Sequence, residues 1–226
     1  MEALTEEEMN LELKTLMESR QHVYSVLSHL FETEITEEYA KEVATSFDFQ
    51  CENEDLNAAF TKMREYLGDV DAHEIEELAV MFDRVFFGMG PRTAAKAFPY
   101  ESVYTSVGGR MNQEAWEQVT AIYRAAGFQK NPDFKEPEDH IAVQLAFMAE
   151  ICGQIREAID MKAMDVAEAL VKKQDEFITN HFMSWINLFF ADVQKATENE
   201  GFYSLLAIAT KLFICFDQEI LHELMN

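Results

Sequence analysis

Carboxylate and histidine side chains are the residues of this sequence that could hold a metal ion. A di-iron centre in a helical bundle needs two Glu-x-x-His motifs and two further glutamates on facing helices. The chain has one such motif, Glu219 with His222, close to the C-terminus. His22 and His29 are seven residues apart and could share a helix face, but no third ligand accompanies them. The spacing favours packing or solvation of these histidines, and no metal site is expected.

Motifs for phosphate binding and nucleophilic catalysis are absent from the sequence. Gly88-Met89-Gly90 is a G-x-G with no strand before it and no G-K-[ST] after it, and no Gly-x-Ser-x-Gly occurs. The three cysteines are far apart and form no C-x-x-C pair, which is typical of reduced thiols in a cytoplasmic protein. The residue chemistry therefore gives no strong case for an enzyme, and no cofactor is expected.

One short run, EPEDH at Glu136–His140, stands directly before an apolar helical pattern. Proline suits the first turn of a helix, and Glu138 and Asp139 in that turn would complement the helix dipole. The run is therefore a well-formed helix start. Alternatively, Asp139 and His140 face a groove shared with residues 98–104. The residues alone leave both interpretations open.

Helical periodicity dominates the elements that would position these residues. The pattern predicts a long first helix, a second beginning at Thr36, and others over 55–66, 73–87, 112–126, from 137 onward, and three or four more to the end. Gly68 and Gly127 are expected to end two of them. No stretch alternates like a half-buried strand, and residues 102–107 are expected to be irregular or a short helix. The fold class is all-α.

The segment 88–111 differs from its surroundings, since it is rich in glycine, proline and aromatic residues and poor in acid. Long connections inside compact domains often carry function. The alternative is a loop that only packs against the core.

Charge excludes several classes of partner. The 226 residues carry a net charge of -24, and residues 1–83 alone hold 22 acidic and 5 basic side chains. Nucleic acid and anionic membranes would be repelled by such a surface. The sequence begins MEALTEEE, without the basic start and apolar run of a secretory signal. The longest stretch free of charged residues has 15 residues, short of the roughly 18–20 that span a membrane.

Three motifs resemble those of a known family. EPEDH at Glu136–His140 is similar to the E-P-x-D-H hinge signature of the TorD/DmsD/NarJ redox-enzyme maturation chaperones. FPYESVY at Phe98–Tyr104 is similar to their P-[YW]-x-S-V-[YW] loop, and FDRVFFG at Phe82–Gly88 to the helix end before that loop. The order and spacing most resemble the TorD-like branch, and the resemblance covers nearly the whole chain.

The resemblance implies one compact TorD-like domain with an N-terminal helical part (1–130), a hinge (131–140) and a C-terminal helical part (141–226). It implies that the protein is not an enzyme but a cytoplasmic chaperone. Such a chaperone binds the twin-arginine signal peptide on the catalytic subunit of a molybdoenzyme and delays export until folding and cofactor insertion. The residues implied in peptide binding are Tyr100, Ser102, Asp139 and His140, with Phe82, Phe86, Gly88 and Pro99 lining or shaping the groove, and Glu136 and Pro137 in the hinge.

The physical character of the chain agrees with that role. A twin-arginine signal has a basic segment followed by an apolar one, so an acidic surface would speed its association. Asp139 could accept a bidentate guanidinium contact. Two alternatives are a carboxylate-rich helical metalloprotein, resting on Glu219 and His222, and a helical adaptor without a peptide groove. Monomers and domain-swapped dimers that exchange across the hinge both occur in the family, and the client enzyme stays open.

Overall fold

The computed structural model describes residues 5–225 and contains, within that range, ten α-helices and one π-helical turn. The elements are α1 (Glu6–Glu32), α2 (Glu37–Ser46), α3 (Glu54–Asp69), α4 (Ala72–Phe86), α5 (Glu101–Thr105), α6 (Glu114–Ala125), α7 (Ile141–Asp160), α8 (Met164–Phe177), the π-turn (Ile178–Phe182), α9 (Met183–Ala196) and α10 (Gly201–Leu224).

Local sequence signals explain where the first four helices begin. The Thr36 side chain accepts a hydrogen bond from the Tyr39 amide, so the predicted start of α2 is confirmed. α1 and α4 each begin with a capping box, in which the N-cap side chain and a glutamate three residues on satisfy each other's backbone amides. The acidic first turns of both helices also face the positive end of the helix dipole.

Two local predictions were wrong. Gly68 does not end α3, because the helix continues through it to Asp69. The corresponding prediction for Gly127 is confirmed, since this glycine adopts a φ of 71° immediately after α6. The run EPEDH does not form the first turn of α7, because His140 is the N-cap and Ile141 the first helical residue. The His140 backbone is extended, and its ring Nδ1 accepts the Ala142 amide 3.1 Å away. Glu138 and Asp139 are therefore placed before the helix.

The core is built around α7, which is buried along most of its length and packs chiefly against α1. A Cβ at Gly153 of α7 would lie 3.2 Å from the Gln21 side chain of α1, so this glycine permits the close approach of the two helices. Nearer the start of α7, the Ser28 hydroxyl donates to the Ala142 carbonyl. The two parts on either side of the hinge thus share one hydrophobic core.

A buried ion pair ties α1 to α10. Asp217 accepts from Arg20 Nε at 2.5 Å and Nη2 at 2.9 Å, and from the Tyr24 hydroxyl at 2.6 Å. All three side chains are at most 2% exposed. Such a pair fixes the register of two helices, because removal of either partner leaves a charge buried without its counterion.

The all-α prediction is confirmed. No strand occurs in residues 5–225, and the predicted short helix near 102–107 is α5. Across the same range, no helix combines the length and apolarity that crossing a membrane requires.

Candidate functional site

Two segments far apart in sequence meet where the loop before α5 contacts the loop before α7. We call residues 98–102 and 136–141 the hinge junction. Tyr100 and His140 form an isolated antiparallel bridge. The Ile141 amide donates to the Pro99 carbonyl at 2.9 Å, and the Glu101 amide donates to the Asp139 carbonyl at 3.1 Å. The backbone therefore holds the two predicted motifs together.

Asp139 completes the hinge junction through its side chain. It is fully buried, and its Oδ2 accepts the Ser102 amide at 2.9 Å. Burial raises the pKa of this carboxyl, while the hydrogen bonds from Ser102 act in the opposite direction. Among the described residues, no lysine, arginine or histidine makes an ion pair with Asp139. Its Oδ1 has no hydrogen-bond partner there.

His140 is held neutral by its surroundings. The ring is 1% exposed and lies edge-on to Tyr100 and Phe134, with centroids 5.2 and 5.0 Å away. Burial, together with the charge of Lys130, lowers the pKa of His140 to about 3. An unprotonated Nδ1 is also what the contact with the Ala142 amide requires.

The two hinge glutamates, Glu136 and Glu138, have different side-chain partners. The Tyr100 hydroxyl donates to Glu136, and burial together with this carboxylate raises the pKa of Tyr100. Glu138 accepts from Trp116 Nε1 at 2.5 Å and lies 3.4 Å from Lys130 Nζ. Burial raises the pKa of Glu138, but the contacts with Trp116 and Lys130 outweigh that effect and lower it. Lys130 also donates to the Glu136 carbonyl.

A second polar cluster extends from Glu101 of the hinge junction to Gln144 and His181. The sequence did not predict this cluster. Glu101, 2% exposed, accepts from Gln144 Nε2 at 2.5 Å, and its Oε1 is 3.0 Å from His181 Nδ1. His181 lies in the π-turn, a helical irregularity that is frequent at functional sites. Glu101 and His181 are 80 positions apart, so no local spacing could have indicated their contact.

Most of the remaining predicted site residues are buried. Phe82 and Phe86 are 2% and 1% exposed and pack on Tyr203, so they support the nearby loop and do not line it. Pro99 is buried, whereas Pro137 is half-buried between the anchored glutamates. Tyr100 and Ser102 are also buried.

Gly88 shapes the loop that follows α4. Its φ of 69° is in the left-handed region that favours glycine, and a Cβ there would lie 3.2 Å from the Phe98 ring and 3.1 Å from Lys96. Phe87, Met89 and Phe98 are exposed by 37%, 63% and 38%. We call these three residues the loop surface. The Phe98 ring lies against Gly88, and Phe87 and Met89 flank that glycine in the chain, so the three exposed apolar residues belong to one region next to the hinge junction.

Of the two residues on which the metalloprotein alternative rests, His222 contacts a carboxylate of another helix. His222 Nε2 is 2.9 Å from Asp175 Oδ1. In the part of the chain that the structure describes, no three His, Cys, Asp or Glu side chains are grouped to hold a metal ion.

The fold and the junction define a class, an all-helical protein whose polar residues join two segments beside an exposed apolar loop. Comparison with known proteins agrees. Residues 50–191 match the model of the nitrate reductase delta subunit family. A chaperone protein TorD from Vibrio cholerae serotype O1 is 29% identical, with 96% of this chain and 99% of that protein aligned. TorD from Vibrio parahaemolyticus is 32% identical over 91% of this chain and 94% of that protein.

A solved structure has the same fold. It is that of a proposed redox enzyme maturation protein from Archaeoglobus fulgidus, with a TM-score of 0.51 and 20% identity over 90% of this chain and 93% of that one. The chain belongs to the TorD/DmsD/NarJ family of redox-enzyme maturation chaperones. It is thus a chaperone and not an enzyme, and its partner is a redox enzyme.

Proposed function

We propose that the protein binds the twin-arginine signal peptide on the catalytic subunit of a molybdenum-cofactor oxidoreductase in the cytoplasm. Binding delays export until the enzyme has folded and received its cofactor. Family membership over nearly the whole chain supports a maturation role. The signal peptide is the client segment whose chemistry, basic and then apolar, fits the surface around the hinge junction.

The loop surface carries this proposal. Phe87, Met89 and Phe98 remain exposed although the chain buries an extensive aromatic core directly beneath them. Exposed apolar side chains that cluster in this way mark binding surfaces. A flexible methionine and two rings suit an apolar segment whose sequence varies between clients.

Long-range electrostatics would bring the basic segment of the peptide to this surface. The net charge is -24, and residues 1–83 contribute most of it. Attraction of this kind raises the association rate and weakens as salt screens it. The acidic first third therefore steers the peptide, while contact is made by the middle of the chain.

Tyr100, Ser102, Asp139 and His140 form the layer below the peptide in this proposal. They are buried in the closed junction, so they act first by holding Phe98 and α5 in place. Asp139 Oδ1 has no hydrogen-bond partner and would accept an arginine N–H if the junction opens. Residues 131–140 would serve as the hinge for that opening, and for exchange of the helical parts in a domain-swapped dimer.

Calorimetric titration with a twin-arginine signal peptide at low salt tests this function. We expect one-to-one binding that weakens when both arginines are changed to lysine and when salt is raised. Met89→Ser should weaken binding, because it removes apolar contact area. Met161→Ser is the matched control, since Met161 is 76% exposed in the turn after α7, away from the loop surface.

The adaptor alternative predicts a different outcome. Without a peptide groove, substitutions in residues 98–104 would alter only stability or assembly. Absence of heat with every signal in a panel from molybdoenzymes would refute the proposed function.

A further inference from the structure

A cavity of about 570 Å³ opens between α5, α6 and α9. Glu101 forms part of its lining, and Asn180 and Ser184 contribute from the π-turn and α9. Glu114 lies on its α6 side. The cavity therefore brings an almost fully buried carboxylate within reach of a ligand from solvent.

Several buried polar atoms close to the hinge junction lack hydrogen-bond partners within the described residues. Gln144 Oε1, Ser102 Oγ and Asp139 Oδ1 are buried without a partner, and so is the Tyr123 hydroxyl. Burial raises the pKa of Tyr123, and the charges of Glu101 and Asp139 add to this effect. Gln144 Oε1 and Asp139 Oδ1 can accept a hydrogen bond, whereas the two hydroxyl groups can accept or donate one, and a buried polar atom without a partner costs stability.

Glu101 keeps acceptor capacity after its known contacts. Its carboxylate receives one bond from Gln144 and one from His181, whereas an ionised carboxylate offers about four lone-pair positions. No Lys or Arg makes an ion pair with Glu101 within residues 5–225. A planar cation with several N–H donors matches the remaining lone pairs of this carboxylate, and guanidinium has five such donors in a rigid plane.

Local net charge does not by itself attract a cation here. Residues 84–135 hold seven basic and four acidic side chains, the opposite of the chain as a whole. Arg110 stands on the rim of the same cavity and is exposed. Capture of a basic side chain in this region thus depends on a specific acceptor and not on the surface potential.

We propose that Glu101, at the base of this cavity, binds the guanidinium group of an arginine side chain, with Asn180 and Ser184 at the entrance. This subsite rests on the proposed function, in which the arginine belongs to the signal peptide. Phe98 of the loop surface is three residues from Glu101, so their Cα atoms are at most roughly 11 Å apart. A peptide in which apolar residues closely follow the arginines can reach both.

The test uses two probes and the wild-type protein first. N-acetyl-Arg-Arg-amide is titrated into protein labelled with ¹³C and ¹⁵N in histidine, and N-acetyl-Lys-Lys-amide is the matched probe. We expect the ring resonances of His181, assigned by substitution, to shift saturably with the arginine dipeptide and far less with the lysine dipeptide. Unchanged His181 resonances in the wild-type protein would overturn the subsite.

Variants then test the carboxylate in signal-peptide titrations. Glu101→Gln keeps the size of the side chain and removes its charge, and we expect binding at least about tenfold weaker. Glu117→Gln, an exposed change of equal charge on α6 outside the cavity, should leave binding unaltered. Arg110→Gln removes the cation on the rim of the cavity and should strengthen binding. Arg124→Gln, in α6 but outside this cavity, is the matched control and should leave binding unaltered.

The outcomes separate the two proposals. If the signal peptide binds wild type and Glu101→Gln equally and His181 does not respond, the subsite is wrong and the proposed function stands. If no signal peptide binds but the arginine dipeptide shifts His181, the subsite stands and the proposed function is wrong. If neither probe gives a response, both are wrong. Should Glu101→Gln fail to fold, the His181 shifts and the Arg110→Gln comparison decide.

Discussion

Wild-type protein is expected to lose stability as the pH falls, because its buried His140 resists protonation. Replacement of His140 by asparagine should abolish this part of the pH dependence. The His140 ring is buried, and its pKa is lowered to about 3, against an ordinary value near 6.5. The folded protein therefore binds this proton less readily than the unfolded chain does. Unfolding takes up a proton below about pH 6.5, so stability that is present at pH 7 is lost progressively as the pH falls toward 3.

The size of the effect follows from the two pKa values. Between pH 7 and pH 5, the difference in proton binding at this one group lowers the free energy of unfolding by about 2 kcal/mol. Asp139 acts in the opposite direction, because its raised pKa makes the folded protein bind a proton more readily. Asp139 is present in both proteins, so comparison of wild type with His140→Asn isolates the histidine.

Asparagine is suited to this comparison because its side-chain oxygen can accept the Ala142 amide as an N-cap. The variant loses ring contacts with Tyr100 and Phe134, which lowers stability by a similar amount at every pH. The assay is urea unfolding followed by circular dichroism at pH 7, 6 and 5. Stability of wild type should fall about 2 kcal/mol more than that of the variant over this range. Parallel curves, or a steeper curve for the variant, would refute a neutral buried His140.

Three further substitutions are predicted from contacts in the structure. Asp139→Ala leaves the buried Ser102 amide unpaired, so the free energy of unfolding should fall by roughly 1–3 kcal/mol while the helical spectrum is kept, and Asp139→Asn should cost less; equal stability of Asp139→Ala and wild type in urea would contradict this contact. Gly88→Ala and Gly127→Ala both force alanine into the left-handed region at about 1 kcal/mol, but only the former meets Phe98, so only it should also weaken signal-peptide binding in calorimetry; equal binding by both variants would disprove the role of Gly88. Arg20→Met strands Asp217 in the core and should cost roughly 3–5 kcal/mol in urea unfolding, most of it recovered by adding Asp217→Leu; a double variant less stable than Arg20→Met would show that the ion pair is not the cause.

Signals confined to a few residues were the ones that the sequence revealed. Thr36 caps α2 and Gly127 ends α6, because a hydroxyl three residues before an amide and a glycine free to take positive φ act locally. The all-α class followed from periodicity over whole helices. The residues alone offered a groove shared by Asp139, His140 and residues 98–104 as one of two interpretations, and the family resemblance favoured it.

Contacts between distant segments were beyond reach of the sequence. Glu101 contacts His181 and Arg20 contacts Asp217 across 80 and 197 positions, and nothing in either neighbourhood marks its partner. The start of α7 was placed too early because the histidine ring, and not the preceding carboxylates, satisfies the free amide. Burial of Tyr100, Ser102, Asp139 and His140 likewise depends on how two loops pack, which no single segment encodes.

Direct binding of a signal peptide is the most decisive measurement. Titration of the intact protein with a twin-arginine signal peptide of a molybdoenzyme should give saturable one-to-one binding that is stronger than for the same peptide with two lysines. Equal affinity for the two peptides, or no binding across a panel of such signals at low salt, would contradict the assignment of this chaperone to signal-peptide recognition.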